Sequence, residues 1–163
     1  MNKDKQHILS LLEQVLDPEV PVLSVIDLGI VRDVNTDDDA VEVKITPTYS
    51  GCPAMDIIIS EISATLLQHG FKSVTVTSLL SPAWTTDWMT EAGKEKLRAY
   101  GIAPPHPTQA VCNIQMVAAA EAVQCPHCGS YRSQVISQFG STACKALYKC
   151  NDCLEPFDYF KCH

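Results

Sequence analysis

Hydrophobic positions along the first hundred residues switch between helical and strand spacing. Ile8, Leu11, Leu12, Val15 and Leu16 recur at i, i+3, i+4, i+7 and i+8, which predicts an amphipathic helix ending before Pro18. Leu28 to Val34 reads as a strand, Thr36 to Asp39 as a polar turn, and Val41, Val43 and Ile45 as the inward side of a second strand, so a hairpin is expected. Beyond the loop Pro47 to Pro53, residues Met55, Ile58, Ile59, Ile62 and Leu66 keep helical period up to the stop signal Gly70. Val74, Val76 and Leu79 suggest a third strand, and Thr90 to Tyr100 a third helix closed by Gly101.

This αββαβα order predicts an α+β domain over residues 1–103, a small mixed sheet with helices packed on it. Pro104-Pro105-His106-Pro107 then opens a bridge over 104–121 for which the pattern predicts no element. Residues 122–163 read as a separate β-hairpin module, with strands at Ser133–Phe139 and Ala146–Lys149 joined through Gly140-Ser141-Thr142.

A hairpin of that size cannot bury a core of its own, and its cysteines supply the remedy. Cys125 and Cys128 form one C-x-x-C pair, Cys150 and Cys153 a second, with 21 residues between them. Two such turns can present four thiolates tetrahedrally to one zinc ion at about 2.3 Å, the arrangement of a zinc ribbon. Phe157, Tyr159 and Phe160 would cover the hairpin. Four protein ligands leave no open position on the metal, so the zinc is expected to be structural. Cys144 and Cys162-His163 lie near enough to compete as ligands, and an iron–sulfur cluster on four of these thiols is the alternative.

Composition narrows the class of partner. The 163 residues carry a formal net charge of −7 with only twelve basic residues, which argues against nucleic acid or an anionic membrane surface. No apolar run approaches the roughly 20 residues that cross a bilayer, and Met1 to His7 is polar with no signal-peptide pattern, so a cytoplasmic protein is expected. In that compartment eight cysteines point to metal or thiol chemistry rather than disulfides.

Three loops at the ends of elements have compositions that helix and strand rules do not require: Asp17-Pro18-Glu19, Thr48-Tyr49-Ser50-Gly51-Cys52-Pro53, and Ser81 to Trp88. Cys52 stands directly before the second helix, where unpaired amides and the helix dipole would favour its thiolate, and it is the leading reactive candidate. A buried filler role for Cys52, turn or cap roles for Asp17, Glu19 and Asp27, and core roles for Trp84 and Trp88 remain open on the residues alone. No histidine neighbours these groups in sequence, so no Cys–His pair is proposed.

The runs Asp17-Pro18-Glu19-Val20-Pro21-Val22-Leu23, Asp27-Leu28-Gly29-Ile30-Val31 and Thr46 to Pro53 resemble the small α+β domain of SufT-like iron–sulfur assembly proteins. Pro82 to Met89 and Phe139 to Tyr148 look like one branch of that family, the D subunit associated with bacterial phenylacetyl-CoA epoxidase. The match spans nearly the whole chain, although the stretch Pro104 to Val123 with Cys112 carries no recognised motif. The resemblance implies a maturation or accessory role beside the oxygenase and reductase subunits. It implies that Cys52 is the family's motif cysteine and that Asp17, Glu19 and Thr48, with Asp27 considered alongside them, line a pocket transiently handling iron or an iron–sulfur cluster. The alternatives are a stoichiometric structural subunit of the oxygenase and a thiol enzyme using Cys52.

Overall fold

The computed structural model describes residues 4–106 and 122–161. The bridge residues 107–121, with Cys112, and the competing ligands Cys162 and His163 lie outside the described residues. Contacts divide the chain into two compact units, Met1–Trp84 with Trp88–Gly93, and Thr85–Asp87 with Lys94–His163. The division falls within the third helix segment rather than at residue 103.

In the first unit, α1 (Lys5–Leu12) is followed by β1 (Val31–Asp37), β2 (Ala40–Ile45), α2 (Ala54–Gln68) and β3 (Ser73–Ser78). The three strands form a mixed sheet in the order β1-β2-β3. β1 and β2 make the expected antiparallel hairpin, with Val34 opposite Val43 and Asp37 opposite Ala40. β3 runs parallel to β2, Val76 beside Val43, which requires a crossover, and α2 is that crossover. Ile58, Ile62 and Leu66 recur every four residues on α2 and are buried, as are Val41, Val43 and Ile45 of β2 and Ile8, Leu11 and Leu12 of α1.

α1 stops at Leu12, four residues before the end its hydrophobic spacing suggested. Val15 is still buried, but Leu16 turns outward and bridges to Ser24. Proline at 18 disfavours helix at Asp17, and the Asp17 carboxylate draws the Glu19 and Val20 amides into a turn. β1 likewise starts at Val31 rather than Leu28, because residues 24–30 close successive turns through Leu28 N–H to Ser24 O and Gly29 N–H to Ile26 O. Gly29 adopts φ +66°, and a Cβ there would lie 2.0 Å from the Trp88 carbonyl oxygen. Only glycine fits that approach.

The second unit contains α3 (Glu91–Ala99) from its fourth residue onward, β4 (Ile102–Ala103), β5 (Ser133–Ser137), β6 (Lys145–Cys150) and β7 (Pro156–Phe160). Its sheet has the order β4-β7-β6-β5, so the expected hairpin β5–β6 is the edge of a larger four-stranded sheet. β7 pairs antiparallel with β6, and the short β4 pairs parallel with β7. Ala103, Val123, Cys125, Cys150 and Phe157 make a small buried cluster, against which Tyr148, Cys153 and Tyr159 pack. Tyr148 stacks on Phe157 with centroids 5.9 Å apart and meets Tyr159 edge-on at 5.5 Å. Two of the five buried members are cysteines, so this core is incomplete without what the cysteines hold. Among the described residues, no helix is long and apolar enough to cross a membrane.

Candidate metal centre and thiol pocket

The two C-x-x-C turns bring Cys125, Cys128, Cys150 and Cys153 together, with all four Sγ atoms within 4.8 Å of one another. Cys125 Sγ lies 3.8 Å from Cys153 Sγ, and Cys128 Sγ 3.6 Å from Cys150 Sγ. A tetrahedron with zinc–sulfur arms of about 2.3 Å has edges of about 3.8 Å, so the sulfur spacing fits zinc. Backbone hydrogen bonds fix the turns: Cys125 N–H donates to Ser130 O, Gly129 N–H to Cys125 O, and Cys150 N–H to Glu155 O. Cys144 stands apart, its Sγ 3.0 Å from Thr142 Oγ1 and its carbonyl accepting from Lys161 N–H.

Electrostatics within the quartet are uneven. The Cys153 amide beside Cys150, helped by the Asp152 N–H 3.4 Å from its sulfur, brings the Cys150 thiol down to about 7 against the opposing effect of burial. Despite a lowering hydrogen bond from the Glu155 amide, burial and the sulfurs of Cys128, Cys150 and Cys125 push Cys153 up to about 12. Cys150 ionises readily, while Cys128 and Cys153 resist sharing its charge. A bound dication removes that repulsion, so metal binding releases protons and draws the turns together.

Cys52 lies in the loop between β2 and α2. Its N–H donates to Tyr49 O and its carbonyl accepts from Met55 N–H, a turn feeding straight into α2, whose N-cap Pro53 supplies no side-chain bond. The Ala54 amide and the Tyr49 side chain do favour the thiolate, as a helix start should. Burial nevertheless outweighs them, and the Glu19 and Asp17 carboxylates add to it, so the Cys52 thiol is raised rather than lowered. The expectation of a thiolate favoured at the helix terminus is therefore corrected: desolvation and the carboxylates win.

The structure thus brings Asp17 and Glu19 within electrostatic reach of Cys52, while Thr48 sits half-buried in the same loop. Asp17 is buried, with Oδ1 accepting from Glu19 N–H at 2.7 Å and Val20 N–H at 2.8 Å, so it also shapes the turn that presents Glu19. Asp27 is committed elsewhere. Its Oδ2 accepts from the Ser24 amide and hydroxyl at 3.0 and 2.9 Å, and its Oδ1 from Thr90 Oγ1 at 3.1 Å. That knot, with Trp84 Nε1 donating to Leu28 O at 2.8 Å and the Arg32 guanidinium 3.5 Å from the Trp88 ring centre, fastens the 81–93 segment to the 24–32 turns. Sequence reasoning missed Tyr49 as a partner of the sulfur; its place three residues before Cys52 in a turn was the available signal. It also missed Thr46, whose buried Oγ1 has no partner among the described residues.

An α+β domain carrying a thiol loop, followed by a four-cysteine ribbon, defines an iron–sulfur assembly domain joined to a zinc ribbon. Residues 5–78 match the family model of an iron-sulfur cluster assembly protein, and residues 110–161 that of a PaaD zinc beta ribbon domain. The chain is 50% identical over 155 residues to the Escherichia coli (strain K12) protein named as the D subunit of 1,2-phenylacetyl-CoA epoxidase, covering 95% of this chain and 91% of that one. It belongs to the same family as that protein. The Fe-S protein maturation auxiliary factor YitW of Bacillus subtilis is 37% identical over 92 residues, 55% of this chain and 89% of its own. The crystal structure of a DUF59 domain from Bacillus anthracis shares the fold with a TM-score of 0.54 at 27% identity, covering 57% of this chain and 90% of that one.

Proposed function

We propose that this protein is a cytoplasmic, non-catalytic accessory factor that assists iron or iron–sulfur cluster assembly in the oxygenase or reductase subunits of a phenylacetyl-CoA epoxidase during phenylacetate breakdown. The observation that carries the reading is a half-buried thiol, Cys52, that feels the charge of two carboxylates, Glu19 and Asp17. Alone, the carboxylates discourage the thiolate. A cationic cargo reverses this, since it offsets their repulsion, lets the Cys52 proton leave to solvent, and gives the sulfur a partner.

Cys52 is the sulfur ligand in this reading. Glu19 and Asp17 supply the attracting field, Thr48 lines the loop, and Asp27 positions the scaffold through its hydrogen bonds to Ser24 and Thr90. The four ribbon cysteines Cys125, Cys128, Cys150 and Cys153 hold zinc as a structural ion, and the ribbon is a docking module rather than a reaction centre. The raised thiol speaks against the rival reading of a thiol enzyme, which needs an activated nucleophile.

The test is Cys52→Ser in the full chain, produced with the epoxidase subunits. Iron and sulfide content of the purified reductase and its absorption spectrum are read out beside epoxidation. Underloaded partner with normal zinc content in the variant is the expected result. Full loading and wild-type epoxidation would sink the proposal.

A further inference from the structure

Apart from Leu154 in the turn after β6, the exposed apolar side chains of the ribbon gather along β5 and its two ends. Tyr131 is 58% exposed, Ile136 53% and Phe139 67%, with Val135 beside them. Among the described residues, β5 has a strand neighbour on one side only. Its five residues, Ser133 to Ser137, include no charge and no proline, two of the usual devices by which an edge strand avoids pairing, and a bulge between Val135 and Ser137 leaves Ile136 out of register with β6.

The apolar row is also held stiffly. Ser137 Oγ donates to Phe139 O at 2.8 Å and accepts from Phe139 N–H at 3.2 Å, while Gly140 N–H donates to Lys145 O at 2.7 Å. The Lys161 ammonium, bonded to Gln138 O, sits 4.1 Å from the centre of the Phe139 ring. An exposed aromatic fixed in this way loses little freedom on binding, which is the property of an interface anchor.

Charge indicates what fits. Arg132 stands at the start of β5, Lys149 pairs in register with Gln134 of β5, and Lys161 lies over the Phe139 end. Asp152 pairs with Arg132 and Asp158 with Lys145, so Lys149 and Lys161 are the cations of this edge without an acidic partner among the described residues. We infer that the β5 edge from Tyr131 to Phe139 is the docking surface for an extended apolar segment of a partner protein whose flanking side chains are acidic. The segment adds as a fifth strand, covers Ile136 and Phe139, and sets its acids against Lys149 and Lys161. The identity of that partner as a component of the epoxidase rests on the proposed function.

The experiment titrates the zinc-loaded full chain calorimetrically against the purified oxygenase and reductase subunits at low and high salt, with Ile136→Asp, Phe139→Ala and Lys161→Glu as variants. Zinc content and thermal melting of each variant confirm folding, and light scattering records the oligomeric state. Binding to one of the two partners should weaken about 30-fold in Ile136→Asp and about 10-fold in Phe139→Ala. Lys161→Glu should weaken it at low salt and flatten its salt dependence. Unchanged affinity in all three variants overturns this surface and leaves the Cys52 reading standing. Failure of the wild-type chain to bind either partner overturns both the surface and the partner assignment. A wild-type dimer that Ile136→Asp converts to monomer makes a second copy the occupant and overturns this one.

Discussion

The two units reach a fixed structure by opposite routes. The first packs aliphatic faces from α1, α2 and β2 into an ordinary core, whereas the second surrounds two buried cysteines with a few aromatic side chains. Charge divides along the sequence as well: residues 1–93 hold fourteen acidic and five basic residues, residues 94–163 five acidic and seven basic. Net −9 in one part and +2 in the other add to the overall −7. The basic residues that look scattered along the chain are therefore biased toward the ribbon half. A thiol site in the acidic part suits a cationic cargo, and the docking edge sits in the part that can meet an acidic partner.

Removing the metal breaks the comparison most severely. A strong zinc chelator, or Cys150→Ser, should unfold the ribbon sheet and leave the first unit folded, with about 10 kcal/mol or more of apparent metal-linked stabilisation lost. Amide spectra of the full chain would collapse for β5–β7 and persist for α2 and β2; collapse of both sets would contradict independent cores. Zinc loading should also weaken as pH falls, because the dication competes with protons for the thiols, Cys150 at about 7 among them.

Within the first unit, Asp27→Ala should cost about 3 kcal/mol in thermal or denaturant unfolding, since the buried Ser24 amide and hydroxyl lose their acceptor. A surface-like loss of a few tenths would show that the knot is not what fixes the 81–93 segment. Glu19→Gln tests the thiol pocket more gently. Removing a negative charge lowers the raised Cys52 thiol, so alkylation at mildly alkaline pH should accelerate about threefold. The linkage has a definite sign: a raised folded value makes the protonated thiol a contribution to stability that is complete below the ordinary thiol pKa and lost as pH rises through the folded one.

The smallest effect belongs to the surface. The Lys5 ammonium, 3.0 Å from Asp33 Oδ1, holds the Asp33 carboxyl below its usual value. Its contribution is present above the ordinary carboxylate range and fades as pH falls through the depressed value, so Asp33→Asn should matter slightly at neutral pH and not at all in strong acid. Paired melts at the two pH values would reveal a reversed order if the pair were repulsive in context.

What could be read beforehand was whatever local spacing encodes. The buried stripe of α2, the β1–β2 hairpin and the two C-x-x-C turns follow from periods of 3.6 and 2 and from ligand spacing, and each is where the pattern put it. The early end of α1 at Leu12 was hidden, because Val15 and Leu16 carry the hydrophobic period on toward Pro18. β4 was not legible at all: two residues, Ile102 and Ala103, become a strand only because β7 lies beside them, more than fifty residues later. The Cys52 environment divides in the same way. Its helix-start amide was local and foreseeable, while burial and the carboxylates of Asp17 and Glu19 arrive from a loop more than thirty residues away and reverse the outcome.

Gly29 and Gly51 share a left-handed backbone yet would fare differently in a randomised library. A side chain at 29 meets the Trp88 carbonyl at bonding distance, whereas one at 51 meets nothing within 4 Å. Selection for folded protein should return glycine alone at 29 and tolerate asparagine or aspartate at 51. The thiol loop is thus open to diversification one residue from its cysteine, and the turn packed on Trp88 is closed.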